Sequence, residues 1–236
     1  MSSGPCLPLF RRVAPRDPLA AYQALAALPN PFLLQSSLVG PSARWSFFGA
    51  DPFSIYRGGD YGGGVAAFRR LARRVAADSP EHAIAPFTGG AVGYWSYDFG
   101  RRLESLRTPA GARRAVDDLL LPDFLLGFYD VVGAVDHASG ETWLFSSGLP
   151  LDGDRRRAHA ERRLDRFEWL LERAAPLDPD ARPMPAAAAV PATSNFHPDD
   201  YRRAIEQVRE HIRRGDLFQA NLSQRWTLPH ASPDPQ

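Results

Sequence analysis

Four polar side chains spaced two residues apart, Gln219, Asn221, Ser223 and Arg225, place two amides, a hydroxyl and a guanidinium on one side of a segment. Its other side carries Phe218, Ala220, Leu222 and Trp226. A period of two predicts a strand over 218–226, with only Gln224 interrupting the apolar side. Such a face can hydrogen-bond a small anionic ligand or can simply meet water, and both readings stand on pattern alone. Other chemistries find less support. No glycine loop has the spacing of a phosphate or dinucleotide cradle. The histidines are scattered, without the spacing of metal ligands. Asp117-Asp118 and Asp199-Asp200 are adjacent carboxylates of the kind that cap and solvate a loop or helix start, and no Ser-His-Asp set stands out. The 28 basic residues are all arginine. The chain therefore cannot supply a lysine nucleophile or general base, because arginine stays protonated at any working pH.

The elements that must position these groups are legible in part. Ahead of the polar-faced strand, Pro198 suits a first helical position, and Asp199 and Asp200 suit the positive end of the dipole. Tyr201, Ala204, Ile205, Val208 and Ile212 give that helix one apolar face, and Gly215 ends it. Near the start, Asp17 caps a helix begun by Pro18, with Leu19, Tyr22, Leu25 and Ala26 expected inward. An apolar strand turning polar is predicted over 32–37, and one or two strands over 44–56, broken at Ala50-Asp51-Pro52. The glycines around Tyr61 read as a turn. An amphipathic helix follows with Val65, Phe68, Leu71, Ala72 and Val75 inward. Its Arg69, Arg70, Arg73 and Arg74 form either a solvated face or an anion site. Gly89-Gly90 opens a glycine-rich aromatic strand of the kind another backbone approaches closely. Residues 124–135 and 142–145 read as paired strands around the turn at 137–140, and 155–173 as a helix. Residues 174–193, rich in Ala, Pro and Asp, read as a linker. The expected organisation is an α+β domain over 1–173, that linker, and the start of a second, incomplete domain over 194–236.

At 236 residues, with 44% hydrophobic and 11% aromatic content, the chain has ample material for a packed core. A net charge of +1 gives no electrostatic case for nucleic acid or an anionic membrane. One cysteine, Cys6, excludes an internal disulfide framework. No charged and apolar leader is recognisable at the start, and no apolar run has the length of a bilayer span. A soluble cytoplasmic protein is expected.

Four segments carry a resemblance. They are NPFLLQSS at 30–37 with RWSFFGADP at 44–52, GGAVGYWSYDFGRRLESL at 89–106, LPDFLLGFYDVVGAVDH at 121–137, and the block 201–225 with GDLFQANLSQR at its end. In order and spacing they resemble the chorismate-utilising family that contains anthranilate synthase component I and aminodeoxychorismate synthase component I. The run Gln219-Ala220-Asn221-Leu222, and GRR followed by Glu104-Ser105-Leu106, look more like the aminodeoxychorismate branch. The resemblance implies an anthranilate synthase component I-like β-sandwich with flanking helices, ending early in a chorismate-binding domain. Gln219, Asn221 and Ser223 would then contribute to that domain's interior.

The anthranilate enzymes typically carry Leu-Leu-Glu-Ser in the first segment, where glutamate and serine help hold feedback tryptophan. Here Gln35 replaces the acid, and an amide is a weaker partner for an ammonium group than a carboxylate. A tryptophan pocket at Leu34, Ser36 and Arg44 is one reading of this stretch, and a plain buried strand is the other. For the whole enzyme the resemblance implies chorismate as substrate, Mg²⁺ as cofactor, and ammonia from a glutamine amidotransferase subunit or domain. It also implies a lysine in a Pro-Ile-Lys-Gly-Thr motif and downstream metal-binding glutamates. The motif is absent here, so no catalytic and no metal-binding residue is assigned to this chain. Two readings of different class follow: the N-terminal part of a synthase component, inactive alone, or a stand-alone module that binds tryptophan or pairs with the glutaminase.

Overall fold

The computed structural model describes residues 8–38, 40, 43–58, 61–77, 84–104, 119–173 and 191–228. The chain forms two compact units, Met1–Leu177 and Asp178–Gln236.

In the first unit the elements run β1 (Leu9–Val13), α1 (Pro18–Leu25), β2 (Phe32–Leu34), β3 (Trp45–Gly49), β4 (Ser54–Gly58), α2 (Tyr61–Ala77), β5 (Gly90–Trp95), α3 (Phe99–Leu103), β6 (Phe124–Tyr129), β7 (Val131–Asp136), β8 (Glu141–Ser146) and α4 (Gly153–Glu172). Two antiparallel sheets result, a five-stranded one ordered β1-β8-β7-β3-β2 and a three-stranded one ordered β4-β6-β5. On one face of the larger sheet, Phe48, Val131, Val135 and Leu144 pack with Ala21 and Leu25 of α1 and with Leu164, Phe167 and Leu171 of α4. Its other face meets the smaller sheet through Phe32, Phe47 and Val132 against Tyr129 and Val92, with the Phe32 and Tyr129 rings edge to face at 4.7 Å. The smaller sheet's far side is covered by α2 and α3, where Phe68, Phe99, Phe124 and Leu126 cluster. The unit is thus an α+β sandwich of two sheets with flanking helices. The bulk of a buried aromatic side chain explains why few elements suffice.

Several local expectations are realised. Asp17 caps α1 through its carboxylate, which accepts from the amides of Leu19 and Ala20. The β7–β8 hairpin turns at 137–140, and β3 and β4 are broken at 50–53. Arg69, Arg70 and Arg73 are exposed, while Arg74 bonds Asp152 and the carbonyls of Pro150 and Leu151. Among the described residues no helix is long and apolar enough to cross a membrane.

Four expectations need correction. The glycines beside Tyr61 open α2 instead of forming a turn. Packing of Val65 and Phe68 against the smaller sheet outweighs glycine's poor helix propensity. The stretch 124–135 is two strands, not one: the chain leaves the smaller sheet at Asp130 and joins the larger. On α1 the buried residues are Pro18, Ala20, Ala21 and Leu25, while Leu19 and the C-cap Ala26 are exposed, because small side chains let the helix sit close to the sheet. The fourth concerns the second unit.

That unit contains β9 (Thr193–Ser194), α5 (Pro198–Arg213) and β10 (Trp226–Thr227). Pro198 and the acidic first turn of α5 fall where expected, and Gly215 takes a positive φ of 79° just past the end. The expected strand over 218–226 is not formed: residues 217–225 are irregular, and only Trp226–Thr227 pairs, with Thr193–Ser194. A strand needs a neighbour to satisfy its backbone groups, and among the described residues no strand pairs with 218–225, where Asn195 exchanges bonds only with Arg225 at the far end. No residue of α5 is buried. Cys6, Asp117, Asp118 and residues 174–190 of the linker expected over 174–193 lie outside the described residues, and Thr193 at its expected end belongs to β9.

Candidate functional site

The site begins with β2 and β3, two adjacent antiparallel strands at one edge of the larger sheet. Where β2 ends, the chain bends, and the Ser36 amide donates to Ser46 Oγ at 3.0 Å while Ser36 Oγ donates to the Trp45 carbonyl at 2.7 Å. Ser46 is fully buried, and its hydroxyl also meets His137 Nε2 at 2.7 Å. These bonds pin the polar end of the first segment to β3 and to the β7–β8 turn.

Arg44 stands just ahead of β3. Its Nε and one terminal nitrogen donate to Asp136 Oδ1 and Oδ2, both at 2.8 Å, a two-pronged pair. Its guanidinium also lies over the Trp45 ring at 5.1 Å. Asp136 carries two further donors, the Ala138 amide on Oδ1 and Ser139 Oγ on Oδ2, each at 3.0 Å. The bonds from Arg44, foremost, and then those from Ala138 and Ser139 hold the Asp136 carboxyl well below the usual carboxylate range, against the opposing effect of burial. The same pairing raises Arg44.

A folded-state value below the unfolded one means that Asp136 contributes stability above pH ~4, a contribution lost as pH falls through and below that point. Asp136→Asn should therefore have a lower urea midpoint than the parent at pH 6, with the gap closing as pH drops from ~4 towards 2. A gap that is constant over that range would refute this role for Asp136.

Around these groups lies an open cleft of about 620 Å³ lined by Leu33, Leu34, Gln35, Ser36, Arg44, Trp45, Phe47 and Pro86. The structure thus brings together Leu34, Ser36 and Arg44, the three residues singled out in the sequence, and adds Gln35 beside them. Trp45 and Phe47 stack at 6.3 Å with their planes 16° apart and form an aromatic wall. Asp136, Ser46 and His137 escaped the sequence reading. They act on the cleft from up to 92 residues away, a separation no local pattern reveals.

In the second unit, Gln219, Asn221 and Ser223 are exposed. A separate cleft of about 620 Å³ there is lined by residues that include Phe196, Tyr201, Trp226, Arg202 and Gln224. Arg202 is paired with Asp199 at 2.7 Å. Among the described residues no group of three or more His, Cys, Asp or Glu side chains is placed to hold a metal ion.

The chain resembles known proteins along most of its length. It is 32% identical over 251 residues to anthranilate synthase component 1 of Mycobacterium tuberculosis, covering 94% of this chain and 46% of that protein. It is 29% identical over 224 residues to aminodeoxychorismate synthase component 1 of Bacillus subtilis, covering 88% and 44%. With the corresponding protein of Klebsiella aerogenes it shares 35% over 153 residues, 63% of this chain and 28% of that one. The chain therefore spans less than half the length of the curated relatives it matches. The crystal structure of anthranilate synthase component I from Streptococcus pneumoniae superposes with a TM-score of 0.53 at 21% identity, over 83% of this chain and 44% of that one, a likeness of fold. The model of the chorismate binding enzyme family matches residues 23–236, and on that match the chain belongs to this family.

Proposed function

We propose that this chain is the N-terminal portion of an aminodeoxychorismate synthase component I. The whole enzyme would convert chorismate and ammonia, delivered by a glutamine amidotransferase partner, into 4-amino-4-deoxychorismate on the route to para-aminobenzoate and folate. The observation that carries the branch is Gln35. It sits on the cleft among Leu34, Ser36 and Arg44, where the resembling anthranilate segment has the glutamate that holds feedback tryptophan. The Gln219-Ala220-Asn221-Leu222 run supports the same branch by resemblance. The chain has no lysine, so the nucleophile that the resemblance implies would belong to the remaining length of the enzyme, with the Mg²⁺ ligands. Within this division of labour the first unit supplies a folded sandwich with its own cleft, and the second supplies α5 to the chorismate-binding part. A second reading, anthranilate synthase component I, is favoured by the 32–34% identities to the Mycobacterium tuberculosis and Streptomyces coelicolor proteins of that name.

Product analysis separates the readings. With chorismate, ammonium and Mg²⁺, the 236-residue chain should give no turnover. A full-length protein containing it should give 4-amino-4-deoxychorismate, which an added lyase converts to para-aminobenzoate. Fluorescent anthranilate as the product would transfer the chain to the other branch. Turnover by the chain alone would overturn the division of labour.

A further inference from the structure

Arg69, Arg70 and Arg73 stand on the exposed side of α2, with Arg74 beside them. The helix over 61–77 contains no acid. The side chains three and four residues from each of Arg69, Arg70 and Arg73 are alanine, valine or a further arginine. Arg69 is thus a helical neighbour of Arg73, and Arg70 of Arg73 and Arg74, like charges that work against the helix. An arginine-rich composition does not by itself produce this arrangement, because α5 is built differently. Its Arg202, Arg203, Arg209, Arg213 and Arg214 each bond an acid three or four residues away. Among the described residues none of Arg69, Arg70 and Arg73 forms an ion pair, whereas Arg74 is engaged by Asp152 and the carbonyls of Pro150 and Leu151.

We infer that this arginine row is a docking surface for an acidic helix of a partner protein. From Arg69 to Arg73 the helix rises about 6 Å. Guanidinium forks at that spacing match carboxylates placed three or four residues apart on a facing helix, and each can take its carboxylate with two bonds. The platform is held in place: Val65 and Phe68 pack α2 against the smaller sheet, and Arg74 ties it to the residues ahead of α4. That packing disfavours a lipid surface, because the apolar face of α2 is already covered and leaves nothing to insert. A net charge of +1, with three free cations over so short a rise, gives little hold on a phosphate backbone. A convex helix face does not enclose a small ion. The surface belongs to the first unit alone and is open to a partner in either enzymatic branch.

Fluorescence anisotropy on the full 236-residue chain tests it with a labelled helical peptide of alanine and glutamate, its glutamates three and four residues apart. The peptide should bind saturably, and more weakly as salt rises from about 50 to 200 mM. The triple change Arg69→Gln, Arg70→Gln, Arg73→Gln should weaken it roughly tenfold or more. The control Arg202→Gln, Arg203→Gln, Arg209→Gln removes the same charge from α5 and should leave affinity within about twofold. Ala66→Glu places an acid at an exposed position three residues before Arg69 and four before Arg70. It should weaken the peptide while leaving the thermal midpoint at or above that of the parent, a combination that damage to the fold does not produce. Oligothymidine and vesicles of phosphatidylcholine with phosphatidylserine represent the competing classes, and both should bind less tightly than the peptide. Should the α2 triple fail to fold, Ala66→Glu and the probe series on the parent still decide. No saturable binding of the peptide, its retention by the folded α2 triple or by Ala66→Glu, an equal loss in the α5 control, or tighter binding of oligothymidine or vesicles would each overturn the inference. None of these outcomes bears on which amine product the whole enzyme makes.

Discussion

Arg163→Met should destabilise the first unit by about 3–5 kcal/mol, the cost of leaving the buried Asp130 carboxylate without its cation, while the half-buried Asp51 keeps Arg166 at 3.2 Å. Arg163 projects from α4 and is nearly buried. Its Nε and one terminal nitrogen bond Asp130 at 3.0 and 2.9 Å, and its other terminal nitrogen bonds the Asp51 carboxylate at 2.6 Å. The Asp51 carbonyl accepts, at 2.9 Å, from the same terminal nitrogen that bonds Asp130. Burial works against the charge of Arg163, but the bonds to Asp130 and then Asp51 outweigh it and leave its pKa raised.

The two carboxylates are not interchangeable surface groups. Asp130 is the residue at which the chain passes from β6 in the smaller sheet to β7 in the larger. Asp51 stands between β3 in the larger sheet and β4 in the smaller. One side chain thus ties both points where the chain changes sheets to the helix that covers them. Asp51 also holds a positive φ of 57°, a conformation that Asp and Asn tolerate better than most residues.

Urea unfolding followed by tryptophan fluorescence checks the prediction. The triple change Arg163→Met, Asp130→Asn, Asp51→Asn should recover most of the lost stability, because it removes the charges together and keeps a residue suited to positive φ at position 51. A loss below ~1 kcal/mol for Arg163→Met would mean that water reaches the carboxylates and the network is no more than a surface pair.

This network shows where sequence reading stops. The local signals were strong: Asp17 before Pro18 gave a cap, Pro198 and its acidic neighbours gave a helix start, and the apolar spacing of Val65, Phe68 and Leu71 gave α2. Each depends on residues within a turn or two of one another. The junction at Asp130, which divides 124–135 between two sheets, is bonded by Arg163, 33 residues from Asp130 and 112 from Asp51, a separation that the apolar pattern of 124–135 does not contain. The candidate cleft divides in the same way. Leu34, Ser36 and Arg44 were found through a resemblance in one segment. The Asp136 carboxylate that holds Arg44 belongs to a hairpin 92 residues further on. The terminal strand failed for a third reason. Alternation at 218–226 is a statement about faces, and a strand also needs a partner for its edge, which the pattern does not contain.

Gly93→Ala should cost about 3 kcal/mol, a large effect for one methyl group, because the group has nowhere to go. A Cβ built on Gly93 would lie 1.9 Å from the Leu125 carbonyl oxygen and 2.9 Å from the Leu126 Cα. Both are backbone atoms of β6, which is paired with β5 at Gly93–Leu126 and Tyr94–Leu125. A side-chain tip could swing away, but a paired strand can yield only by breaking its ladder. β6 is also the central strand of its sheet, bonded to β4 on the other side. Displacing it disturbs Phe124 and Leu126, which hold the cluster with Phe68 and Phe99 under α2 and α3. Glycine-rich spacing around 89–93 had suggested such a close approach, so sequence and geometry agree at this position. Gly100→Ala is the matched control: it lies in α3 with open space around its Cβ, and there the exchange should be neutral or slightly stabilising. Thermal unfolding of the two variants side by side should show a lowered midpoint for Gly93→Ala alone. Equal midpoints would show that β6 can shift without loss, and the sandwich would then be far more compliant than its close-packed aromatic layers imply.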